Sequence, residues 1–326
     1  MPPKTPAQQP DGGTVPSPQL PGNNNDPSPA RVQLESHTTA QSLTRARGLT
    51  HRDLTLISYL ARHRVLTAVQ ISRLLFGSET HARHRVTALH KQGVLARFRR
   101  EVWPGSQAWR YTLGHVGAAV HAAATGAAFP RPSKVTEKIM RLAHSPHTEH
   151  LLGVNDFFTT LAGHARTRDD CELDQWWPES VTADACAGIV RPDGYGEWTQ
   201  HGSTLAFFVE YDNGTETLDA ITDKIRKYGE LAHAVTRKPV LFLFTSTARE
   251  HHTHQKLHRH YSGGLPVPIA TTSLDRHPTP DPRPSTETLI TGRVWRCPSS
   301  AERQHLADLA HPQAPTSPSP STRRAA

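Results

Sequence analysis

The sequence predicts an α+β protein of two domains, a small helical one closed by a β-hairpin and a larger α/β one with a mixed sheet, between disordered tails. Three observations carry this reading. Residues 48–126 hold three helix-patterned runs followed by two short extended runs. Residues 145–309 follow the order helix, three strands, helix, strand. Residues 1–46 and 312–326 are rich in Pro, Ser, Gln and Asn without aliphatic periodicity, a composition that buries too little apolar surface to offset ordering entropy.

Composition narrows the function classes. Among 326 residues, 37 Lys and Arg face 29 Asp and Glu, a net charge of +8, which suits nucleic acid or another polyanion. The three cysteines, Cys171, Cys186 and Cys297, are odd in number and lack a CxxC pairing. That pattern points to reduced thiols in a cytoplasm rather than a disulfide framework or a zinc finger. No run approaches the roughly 18 consecutive apolar residues of a membrane span, and no signal-peptide apolar core opens the chain. A soluble, cytoplasmic protein with no membrane partner is expected.

In the first domain, Thr50 precedes HRDLTLISYLARH with Asp53 three residues on, the spacing of a capping box, and Leu54, Ile57, Leu60 and Ala61 form an apolar stripe. Thr67 caps AVQISRLLF, whose Val69, Ile71, Leu74 and Leu75 face the first helix, and Gly77 ends it. A third helix runs from after Ser78 to Gly93. In it Ala82, Val86 and Leu89 make one buried face and leave His81, Arg83, His84, Thr87 and Lys91 around the remaining surface. The extended runs 94–100 and 109–113 join through WPGSQ, which completes the order of a winged helix-turn-helix. Its third helix suits a major groove and its first wing strand suits phosphates. The DNA-contact candidates are therefore Arg83, His84, Arg85, Thr87, Lys91, Arg97, Arg99 and Arg100. The same architecture also serves as a protein-interaction module.

In the second domain, Leu151, Val154, Phe158 and Leu161 lie at helical spacing, and CELDQWWPE reads as a strand. The apolar run 187–190 reads as a strand ending near Asp193, LAFFVEYD as the next strand, and TLDAITDKIRKYGELAHAV as a helix. PVLFLFTS reads as a strand buried on both faces. Strand side chains alternate, so Glu210 and Asp212 share a face, and Asp193 meets them where its strand pairs alongside. Three converging carboxylates repel unless a divalent cation lies between them, and oxygen ligands suit Mg or Mn. A metal of that kind hydrolyses phosphodiesters.

Asp193, Glu210 and Asp212 are thus the candidate metal ligands. Lys224 joins them as the fourth candidate catalytic residue, placed to orient water or stabilise a pentacovalent phosphate. It shares a helix face with Tyr228, the tyrosine best placed for a covalent phosphodiester. The turn sequences Asp193-Gly194 and Asp212-Asn213-Gly214 carry a competing reading, in which the acids only turn the chain. Glu149 and Glu179 are further carboxylates, and His254 with His258 has zinc spacing without a third ligand.

LTHRDLTLISYLARHRVLTAVQISRLLFG, WRYTLGHVGAAV, and RPDG with FFVEYDNGTETLDAITDKIRKY together resemble the actinobacterial replication-relaxation family over residues 49–309. EYDNGTE followed by KIRKY is the more specific signal. The second domain is also similar to the PD-(D/E)xK nucleases, with a restriction-endonuclease-like fold in which Pro192-Asp193 is the first motif and Glu210 the second. The lysine expected two residues after the second acid is replaced by Asp212, so Lys224 would supply it from the helix. The resemblance implies a protein of plasmid or mobile-element replication and DNA relaxation. Its partners would be double-stranded plasmid DNA and replication or transfer proteins, and the second domain would nick DNA with Mg or Mn. The alternative is a non-catalytic DNA-binding regulator that keeps the nuclease-like fold as a scaffold.

Overall fold

The computed structural model describes residues 30–35, 48–100, 106–276 and 290–310. The expected C-terminal tail lies outside the described residues, as does the N-terminal one except at 30–35. Helix α1 (His51–His63) opens on the predicted capping box, with Thr50 N donating to Asp53 Oδ2 at 2.7 Å and Asp53 N to Thr50 Oγ1 at 3.3 Å. α2 (Ala68–Leu75) repeats the device with Thr67 and Gln70. α3 (Glu79–Lys91) buries Ala82, Val86 and Leu89, as their spacing predicts. The other two stripes hold in part. Ile57, Leu60, Ile71 and Leu74 are buried as their spacing predicts, whereas Leu54 and Val69 are 42% and 38% exposed and Leu56 is buried in addition. α1 must also serve α4 (His115–Thr125), so its buried face turns between two neighbours.

Four antiparallel strands back these helices in the order β1-β3-β4-β2: β1 (Ala30–Gln33), β3 (Leu95–Arg100), β4 (Arg110–Leu113) and β2 (Leu66–Thr67). β1 corrects the expected tail at residues 30–33. It pairs from Ala30 opposite Arg100 to Gln33 opposite Arg97 and packs Ala30 and Val32 against Phe98 and Leu142. Four residues are too few to show a period, and the free backbone edge of β3 supplies the pairing.

α5 (Pro132–His144) and α6 (Thr148–Ala165) lead into a seven-stranded mixed sheet in the order β5-β6-β7-β8-β9-β10-β11. Its strands are β5 (Cys171–Pro178), β6 (Gly194–Gln200), β7 (Ser203–Asp212), β8 (Val240–Phe244), β9 (Ile269–Ser273), β10 (Trp295–Arg296) and β11 (Arg303–Gln304). β7, β8 and β9 run parallel and the other pairs antiparallel. β8 is buried throughout, as its continuous apolar sequence predicts. α7 (Glu179–Ala185) precedes β6; α8 (Leu218–Ala234) and α9 (Thr247–His260) follow β7 and β8. Among the described residues the chain is α+β, with nine α-helices. The run 187–190 is not a strand. Ala187 and Gly188 have φ of 52° and 74°, which breaks extension, and the strand begins after Asp193 instead.

The helical and sheet halves share one hydrophobic core that runs from Leu56 and Val86 through Phe157 and Trp176 to Trp198 and Leu241. Polar contacts fix the joint. Asn155 Nδ2 donates to the carbonyls of His63 and Val65 at 3.2 and 2.7 Å, and Gln70 Nε2 to Leu152 O at 2.9 Å. His63 stacks on Trp176 at 3.6 Å between ring centroids. α6 therefore touches both halves, and its first turn lies beside the end of β7.

Candidate nucleic-acid interface and acid cluster

The acids gather where the sheet register brings them. Gly194 pairs with Val209, so Asp193, one residue earlier, comes alongside Glu210, and Asp193 Oδ2 accepts a bond from Tyr211 N at 2.8 Å. His150, from the first turn of α6, places Nε2 2.9 Å from the same oxygen. Glu210 is 2% exposed; Lys224 Nζ lies 2.9 Å from its Oε2, and Tyr228 OH donates to its Oε1 at 2.7 Å. Asp193, Glu210, Lys224, His150 and Tyr228 thus form one cluster at the edge of a cavity of about 410 Å³ lined in part by Arg64, His150, Asp193, Tyr211 and Asp212.

Burial and then the Asp193 charge push the Glu210 carboxyl up to about 8. Burial draws His150 down, but the Asp193 hydrogen bond and charge outweigh it and leave the imidazole above its ordinary value. Burial likewise works against the Lys224 charge, which Glu210 and Asp193 more than restore. The Tyr228 phenol is held well above its usual range by burial and by Glu210.

Asp212 shares the strand face of Glu210, as the period of two predicts, yet serves a different helix. Its Oδ2 takes Arg249 Nε of α9 at 2.9 Å, and its Oδ1 takes Gly214 N at 2.6 Å. It is the turn reading that describes this residue. A divalent cation is favoured where converging carboxylates lack another cation to balance them, whereas Lys224 and Arg249 already pair with Glu210 and Asp212. Of the oxygens on Asp193, Glu210 and Asp212, only Asp193 Oδ1 accepts no bond among the described residues. No group of three His, Cys, Asp or Glu side chains among the described residues is arranged to hold a metal. The donors as arranged do not fit Mg or Mn.

The other candidates are accounted for. Glu149 pairs with Arg110 of β4, and Glu179 with Arg191 at 3.1 Å. Tyr228 is 1% exposed with its hydroxyl on Glu210, so no phosphodiester reaches it in this arrangement. His254 is buried with Nε2 on Thr271 Oγ1 at 2.8 Å while His258 is exposed, so the pair does not share a ligand. Cys171, Cys186 and Cys297 form no disulfide with one another. Among the described residues no helix is long and apolar enough to cross a membrane.

The cationic residues of the first half divide. Arg83, His84 and Lys91 are exposed on α3, with Arg83 paired to Glu79 one turn back, and Thr87 bonds to Arg83 O at 2.8 Å. Arg85 turns inward, where its Nε and NH2 both bind the buried Asp53 carboxylate that caps α1. That carboxyl, which burial alone would raise, is held below its ordinary value by Arg85 and Thr50. Arg97 and Arg99 stack on the Trp109 ring, with guanidinium carbons 4.3 and 4.4 Å from its centroid. Arg100 falls on the opposite strand face and donates to Ser145 O at 3.4 Å.

Arg83 and Arg97 both lie near Tyr111. Burial raises the Tyr111 phenol, and both arginines draw it back. Sequence reasoning missed Trp109, His150 and Arg249. His150 next to Glu149 in a helix's first turn was a usable signal, whereas Arg249 becomes a partner of Asp212 only through the β8–α9 return.

A model of the protein family described as Replication-relaxation matches residues 57–246, more than half of the chain. No curated protein and no solved structure matches it.

Proposed function

Because the chain belongs to the replication-relaxation family, we propose that it binds double-stranded DNA of a plasmid or other mobile element, as a non-catalytic accessory of replication or DNA relaxation. Family membership suggests the role in replication or relaxation; the binding reading rests on the first half. Its three helices and hairpin follow winged-helix order, with α3 as the groove-reading helix and β3 and β4 as the wing. The observation that supports the reading most is that Arg83 of α3 and Arg97 of β3 both lie near Tyr111, with Arg99 beside Arg97 over the Trp109 ring. Three guanidinium groups at one surface attract phosphate through charge and counterion release.

The second half runs helix, strand, short helix, two strands, helix, strand, an order that supports a nuclease-like reading once the short α7 is set aside, and Lys224 lies 2.9 Å from Glu210, where a migrated lysine would be needed. Its chemistry reads as structural. Lys224, Tyr228 and His150 occupy the acids, and this tie of α6, β7 and α8 holds the nuclease-like scaffold against the DNA-binding half. A gel-shift or anisotropy titration of the full chain with plasmid-derived duplex in chelator tests the proposal. Binding that survives chelator and weakens in Arg83→Ala supports it; absence of binding contradicts it.

A further inference from the structure

β1 lies upstream of the family-matched segment, and it completes a feature that the hairpin alone lacks. In the register, Arg31 stands opposite Arg99 and Gln33 opposite Arg97, so these four side chains share one sheet face. Gln33 Oε1 accepts Arg97 Nε at 2.8 Å, and Trp109, preceding β4, receives both Arg97 and Arg99 on its ring. A guanidinium held over an aromatic ring keeps its charge and the donors not otherwise bonded available to a phosphate. Among the described residues, Arg31, Arg97 and Arg99 have no carboxylate partner, and Arg99 Nε is buried without an acceptor.

We infer that Arg31, Arg97 and Arg99, set in place by Trp109 and Gln33, form a clamp for the phosphodiester backbone of duplex DNA. The inference rests on the DNA-binding reading and adds to it a sequence-independent contact built partly by β1. Trp109 and Gln33 are positioning residues; the arginines make the contact. α3 supplies the separate groove contact through Arg83 and His84.

The test is anisotropy of a labelled duplex of arbitrary sequence with the full chain, between about 50 and 200 mM salt. Trp109→Ala is expected to weaken binding roughly five- to tenfold and to lower the magnitude of the log K against log salt slope by about 1 to 2. Trp109→Phe, which keeps a stacking face, restores most of both. Should Trp109→Ala fold poorly, Arg31→Ala and Gln33→Ala on the edge strand carry the test, Arg31→Ala lowering the slope by about 0.9. If the wild type binds, Arg83→Ala weakens it, and the clamp variants keep the wild-type slope, the clamp is wrong and the DNA-binding reading stands. If the wild type does not bind duplex, both fall.

Discussion

Lys224 Nζ lies 2.9 Å from Glu210 Oε2, and that carboxylate is 2% exposed, so the cation a nuclease-like site would need for chemistry is bound to the acid meant to hold a metal. Removing one partner of such a pair leaves the other without its counter-charge. Above the value of about 8 to which burial pushes the Glu210 carboxyl, where the pair is ionised, Glu210→Ala strands the Lys224 ammonium and the Tyr228 hydroxyl and is expected to cost about 3 kcal/mol of stability in urea unfolding. A loss below about 1 kcal/mol would remove the structural role assigned to the pair.

The pH dependence has a definite sign. Glu210 titrates in the folded chain at about 8, above its ordinary 4.5, so the folded state holds the extra proton between these values. Stability therefore falls as pH rises through that window, by up to about 1.4 kcal/mol per pH unit for one proton. His150, raised by Asp193, contributes stability that is full below its ordinary 6.5 and is lost as pH climbs through its folded value. Both groups slope the same way. Urea midpoints across this range should decline in the wild type and decline less in Glu210→Gln; an equal slope in the two proteins contradicts the assignment.

Arg83 and Arg85, two residues apart on α3, are expected to separate cleanly. Arg85→Ala unpairs the buried Asp53 and should lower stability by about 2 to 3 kcal/mol. Arg83→Ala, exposed and paired only with Glu79, should leave stability within about 0.5 kcal/mol and reduce duplex affinity. Thermal or urea melts beside a DNA titration decide it, and loss of affinity without loss of stability in Arg85→Ala would reverse the roles.

Divalent metal should change little. With the oxygens of Glu210 and Asp212 already bonded, millimolar Mg or Mn is expected to leave the melting temperature unshifted and supercoiled plasmid uncut. Nicking that requires metal and disappears in Asp193→Ala and Glu210→Ala would restore the nuclease reading.

Local signals in the chain were strong where the physics is local. The capping box at Thr50, the cap at Thr67, the buried face of α3, the strand β7 with its two same-facing acids, and the shared helix face of Lys224 and Tyr228 all follow from spacing. What spacing does not carry is the choice of partner. Asp212 belongs to Arg249, 37 residues later, Arg85 belongs to Asp53, 32 residues earlier, and Arg97 meets Gln33 across a strand too short to announce itself. Those pairings come from chain returns. They turned an apparent ring of three acids into an acid and lysine tie, and a row of arginines into two opposed faces.

The first half is proposed to bind duplex DNA without metal. Fluorescence anisotropy of the full chain with a labelled duplex, in chelator and across salt, tests it most directly. Saturable binding is expected, with a log K that falls linearly with log salt and an affinity weakened at least about fivefold by Arg83→Ala. No saturable binding in chelator, or binding of equal strength in Arg83→Ala and in an Arg97→Ala, Arg99→Ala double variant, would contradict it.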